Sequence, residues 1–99
     1  MTFNYNHITI IGKAIDLTAV EFGGDLKATL VLKVDRNEEE KNLADNITCI
    51  LWGQLAENAL AKIEKDDPIL IEGSLNITKS GAEVQTENFQ LLKTKNIHL

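Results

Sequence analysis

The chain has 99 residues, 43% of them hydrophobic, enough to bury one core and too few for two domains. Ten Lys and Arg against 15 Asp and Glu leave a net charge of −5, opposite in sign to the footprint expected of a nucleic-acid binder. The opening Met1-Thr2-Phe3-Asn4 lacks a basic start and an apolar run, and no stretch reaches the roughly 18 apolar residues that cross a bilayer, so a cytoplasmic or plastid-stromal chain without membrane partners is expected.

A first strand is predicted over His7-Ile8-Thr9-Ile10-Ile11, continuing toward Ile15, with Gly12 placed for a sharp bend or a bulge. Val20 to Phe22 reads as a short extended piece, and Gly23-Gly24-Asp25 supplies the positive-φ residues of a tight reversal. The second strand is the clearest pattern: Leu26, Ala28, Leu30, Leu32 and Val34 alternate with Lys27, Thr29, Val31 and Lys33, giving one core face and one wet face. The charge run Asp35 to Asp45, with five acids and two bases, reads as a solvated loop.

Ile47 to Trp52 forms a third strand ended by Gly53, in which Cys49 acts as a small packed hydrophobe. Cys49 is alone, so no internal disulfide forms, and with only His7 and His98 beside it no zinc spacing exists; neither a metal nor a cofactor is expected. Between Gln54 and Lys65 the period changes: Leu55, Ala56, Ala59, Leu60 and Ile63 recur at spacings of a short amphipathic helix, which Asp66-Asp67-Pro68 stops. A fourth strand runs Ile69 to Ile77 with Ile69, Ile71, Gly73, Leu75 and Ile77 on one side. Lys79-Ser80-Gly81-Ala82 is a hairpin tip. A fifth strand runs from Glu83 to Leu92, with Phe89 in the core and a phase change that predicts a bulge near Glu87-Asn88. The tail Lys93 to Leu99 has no clear partner in the sequence.

Three strands, one helix and two strands in so short a chain fit an all-β fold, the partly open five-stranded barrel of the oligonucleotide-binding type (OB-fold), with its helix between strands three and four. The competing architecture is an open five-stranded sheet with one covering helix. Either way the chain is one domain, 1–99, with its core over 6–92.

The segment Ile47-Thr48-Cys49-Ile50-Leu51-Trp52-Gly53-Gln54-Leu55-Ala56-Glu57-Asn58 resembles the bacterial single-stranded-DNA-binding family, whose third strand enters an aromatic-Gly-Lys-Leu-Ala-Glu turn. Asn6 to Lys13 looks like that family's opening strand, Ala28 to Leu32 like its second and Ile69 to Leu75 like its fourth, in the family's order and near its spacing. The resemblance implies single-strand binding in replication, recombination or repair, in a nucleoid-associated homodimer or homotetramer joined through first strands. Asn6, Ile8 and Ile10 are the expected dimer residues, because so apolar a strand left as an open edge would aggregate. Phe3 and Tyr5 are expected at the same edge.

Sequence-neutral binding needs cations that follow the phosphates and aromatic faces on which bases stack. Trp52 matches one of the family's stacking positions, while Glu38, Asn46 and Ser80 fall where relatives such as the enteric proteins carry tryptophans. Gln54 replaces the turn's lysine, Asn76 and Thr78 replace basic residues, and Glu21 stands where a base is common. At about 1–3 kcal/mol per stacked base, three lost platforms remove roughly 3–9 kcal/mol, or about two to six decades, and binding is predicted to be weak. Lys13, Lys27, Lys33 and Lys79 are the candidate phosphate contacts, and Tyr5 or Phe22 offers a further stacking face. The resemblance also implies an acidic, Phe-ending partner tail, which Asn96-Ile97-His98-Leu99 does not match.

A second reading is a protein-interaction module of the same fold, comparable to primosomal relatives, that has lost its DNA surface and binds a replication protein. Catalysis is not expected, since no nucleophile with its base, no carboxylate pair and no phosphate cradle can be assembled from these residues.

Overall fold

A computed structural model of the chain describes residues 6–38 and 41–92, with the side chains of 36–38 and 41–43 left aside. Phe3, Tyr5, the Glu39-Glu40 tip and the tail 93–99 lie outside the described residues. The elements are β1 (Ile8–Phe22), β2 (Asp25–Glu38), β3 (Lys41–Trp52), α1 (Gly53–Lys62), β4 (Pro68–Thr78) and β5 (Gly81–Leu91). The strands close in the order β1-β2-β3-β5-β4 into a barrel, which decides against the open sheet. Among the described residues no helix is long and apolar enough to cross a membrane.

β1 is one continuous strand that changes partner along its length. Its first half pairs with β4, from Ile8↔Gly73 to Lys13↔Pro68, and its second half with β2, from Lys13↔Lys33 to Phe22↔Asp25. The irregularity lies between Ala14 and Asp16 rather than at Gly12. The extra residue, Ile15, lets both Ala14 and Leu17 turn toward the core. Ala14, detached from a regular ladder there, is bonded by the loop before β4: its N–H donates to Asp67 O at 2.9 Å and its carbonyl accepts from Asp66 N at 2.7 Å.

The core follows the β2 alternation. Leu30, Leu32, Leu51, Ile69, Ile71, Val84 and Cys49 are fully buried, each large aliphatic contributing about 1.5–3 kcal/mol by leaving water. Ala56 and Ala59 of α1 and the following Ile63 close the barrel end, whereas Leu60, expected on the same face, is exposed. The helix stops three residues before Lys65, and buried Asp67 accepts the Glu64 N–H at 2.7 Å to fix the turn beyond it.

The acidic stretch is not the free loop that its composition suggests. β2 and β3 continue pairing through Val34↔Asp45 as far as Glu38↔Lys41, a two-stranded ribbon held by backbone bonds. β4 and β5 likewise run past the barrel, so Leu75 and Ile77 are exposed although they share the face of buried Ile69 and Ile71. The β5 bulge falls where the alternation predicted it: Glu72 pairs with Asn88 and Gly73 with Thr86, leaving Glu87 as the extra residue. Phe89 packs against the core as expected.

Within the chain one edge of the first strand is covered: Ile8 to Lys13 pair with β4, while pairing with β2 on the other edge begins only at Lys13. Ile8 and Ile10 pack against the core, and their backbone is paired with β4. Asn6 extends that ladder with its side chain: Nδ2 donates to Leu75 O at 2.6 Å and Oδ1 accepts from Leu75 N at 3.1 Å. The outward apolar residue of this segment is Ile11.

Candidate nucleic-acid interface

Two turns place the site. Gly23 and Gly24, with φ of 62° and 88°, make a two-residue reversal that fixes Phe22 opposite Asp25 and therefore Val20 opposite Lys27. Gly53, with φ of 59°, turns β3 into α1 in one residue, so Trp52 is the last residue of its strand. The β2–β3 register then sets Lys27 directly opposite Trp52. Val20, Lys27 and Trp52 form one row across three strands on the outer face, with Phe22 two residues beyond Val20 on the same side.

The indole is not sealed in the protein: Trp52 is 40% exposed, against complete burial of neighbouring Leu51. Lys27 Nζ lies 5.6 Å from the ring centre. Phe22 meets the indole edge to face, with centroids 6.2 Å apart and planes inclined at 64°. Val20, Phe22 and Trp52 thus make a contiguous exposed apolar patch with a cation in its middle.

The other candidate residues lie elsewhere. Lys13 and Lys33 face each other across the β1–β2 ladder, six residues or about 20 Å along β2 from Lys27. Lys13 Nζ is 3.9 Å from Asp66 Oδ1, and Asp35 lines the same shallow groove, so the two cations there are matched by two carboxylates. Lys79 is exposed on the two-residue tip between β4 and β5. Of the three residues that stand where relatives carry tryptophans, Asn46 is exposed opposite Lys33, Ser80 is exposed beside Lys79, and Glu38 ends the described part of β2.

Sequence reasoning named Phe22 only as an option and passed over Val20. The information was present, because a Gly-Gly reversal fixes every pairing in the hairpin that it closes.

A small closed barrel that shows an aromatic and a cation on its outer β1–β2–β3 face belongs to the ligand-binding OB class. The profile of the Single-strand binding protein family matches residues 5–93, and the chain belongs to that family of non-enzymatic DNA-binding proteins. Solved structures agree in fold. The second single-stranded-DNA-binding protein of Mycobacterium smegmatis superposes with a TM-score of 0.77 at 18% identity, covering 95% of this chain and 98% of that one. PriB of Ralstonia solanacearum gives 0.75 at 11% identity over 91% and 100%. The small single-stranded-DNA-binding protein of Streptomyces coelicolor gives 0.71 at 16% identity over 91% and 95%. No curated protein matches the sequence.

Proposed function

We propose that the family's ligand, single-stranded DNA, is held here by a base stacked on Trp52 and a phosphate drawn to Lys27, weakly and without sequence preference. The observation that carries this is the half-exposed indole with a lysine ammonium 5.6 Å from its centre on the outer barrel face. A π-face accepts any base, and a point charge accepts any phosphate, so neither group reads sequence. Affinity is low because the net charge of −5 repels the ligand at long range and a single indole serves where several would stack. Lys13, Lys33 and Lys79 enter only as outlying contacts for longer strands.

In this reading the protein coats or marks unpaired strands in replication, recombination or repair, in the cytoplasm or the plastid stroma. It does so as a homodimer or homotetramer. Asn6, Ile8 and Ile10 lie at or near the joined strands, and exposed Ile11 supplies the outward apolar surface there. The test is a titration of Trp52 fluorescence with oligo-dT across a salt series. Saturable quenching that weakens with salt supports the reading. Absence of quenching at low salt, together with retained self-association, selects the protein-interaction module instead.

A further inference from the structure

Phe22 is an expensive residue to leave in water, and nothing in the core requires it. It is 66% exposed at the end of β1, beyond the last core-facing side chain of that strand. It is nevertheless rigidly placed: Phe22 pairs with Asp25 across a turn whose two central residues both hold positive φ, so the ring is carried on a strand end and not on a loose loop. Its neighbours are Trp52 at 6.2 Å and, through Val20, the Lys27 row.

The relative orientation of the two rings decides what they can hold. Planes inclined at 64° leave no parallel-sided slot, so a flat base does not enter between them. The two rings are therefore separate platforms, Phe22 66% and Trp52 40% exposed, carried on strand ends that flank β2. Lys27 stands on the middle strand, between the β1 end that carries Phe22 and the β3 end that carries Trp52, within reach of a phosphate that joins two such bases. At the far end of the face, the groove around Lys13 and Lys33 is lined by no aromatic ring among the described residues, and it also carries Asp35 and Asp66.

We infer that Phe22 is a second stacking platform, so that the site takes two neighbouring unpaired bases with their linking phosphate on Lys27, and the strand crosses β3, β2 and β1 at the hairpin end of the barrel. This rests on the Trp52 reading and adds to it a residue, a direction and a minimum occupant.

The test compares wild type with Phe22→Ala, Phe22→Leu and Phe22→Tyr, titrated with fluorescein-labelled oligo-dT at low salt and followed by both anisotropy and Trp52 quenching. Alanine and leucine should weaken binding by roughly 5- to 150-fold, the value of one stacked base, while tyrosine, which keeps the π-face, stays within about threefold of wild type. The quenching amplitude at saturation should be unchanged in all four, because the base on Trp52 remains. Thermal melts should coincide, since the ring is outside the core. Alanine or leucine binding as tightly as wild type overturns the inference, and so does equal loss in the tyrosine variant. If wild type itself shows neither quenching nor anisotropy change, the Trp52 reading has failed first.

Discussion

Lys27 and Trp52 stand directly opposite each other in the β2–β3 ladder, with the lysine ammonium 5.6 Å from the centre of the indole. The contact is worth only about 0.5–1 kcal/mol in so exposed a place, yet it ties the orientation of the ring to that of the cation. A change at either residue therefore alters the surroundings of the other.

Replacing Trp52 by alanine removes the stacking face. Affinity for labelled oligo-dT, read by anisotropy, should fall roughly 5- to 150-fold, and phenylalanine should restore part of it. The melting curve should shift little, because the side chain lies outside the core cluster.

Lys27→Gln separates charge from stacking. The slope of log K against log salt should become shallower by about 0.7 for the one phosphate lost, with binding weakened by a similar factor for every sequence tested. An unchanged slope would show that Lys27 serves only to hold the indole.

Gly73→Ala should be the most damaging single methyl in the barrel. A Cβ there falls onto the carbonyl oxygen of Gln85, a backbone atom on the paired strand that no rotamer change can move aside. The cost should be about 1–3 kcal/mol or more, visible as a melting temperature lowered by about 4–8 °C for each kcal/mol.

Burial pushes the Cys49 thiol from 9.0 up to about 12. The unfolded chain therefore gives up this proton first, so the contribution of the thiol is fully present below about pH 9 and is lost as pH rises toward 12, with a slope of up to about 1.4 kcal/mol per pH unit. Denaturant melts of wild type and Cys49→Ala should run parallel below pH 9 and converge above it. At pH 8 the native thiol should react with a disulfide reagent only as fast as the barrel opens.

How legible this molecule was depended on whether side chains or backbone set each feature. The Leu26 to Val34 alternation gave β2 and its share of the core, Ala28, Leu30 and Leu32, because a closed barrel sorts side chains strictly by face. The β5 bulge at Glu87 showed as a break in that sorting. The pairing of Asp35 to Asp45 did not show, since a ribbon held by main-chain bonds with both faces wet imposes no pattern on its residues. The bulge at Ile15 was not placed because isoleucines fall on both alternating faces of Ile8 to Ile15, with Ile8 and Ile10 on one and Ile11 and Ile15 on the other, so no break in phase shows. Of the proposed site, Trp52 was named from its motif and Lys27 from its alternation. That these two meet, while Lys13 and Lys33 pair with each other far along the strand, follows from hairpin registers that residue types alone do not state.

Closure of the tube needs the β1–β4 ladder and the shortest ladder of all, Thr48↔Glu83, Cys49↔Val84 and Ile50↔Gln85, the parallel seam between β3 and β5. The β1–β2, β2–β3 and β4–β5 ladders each join neighbours in the chain and can zip from a nearby turn. The seam has α1 and β4 between its halves, so it bears a larger loop entropy and should form late in folding. The hairpins can therefore assemble first, and the face carrying Trp52 acquires its final curvature only when those three rungs and the still longer-range β1–β4 ladder, Ile8↔Gly73 to Lys13↔Pro68, have both locked.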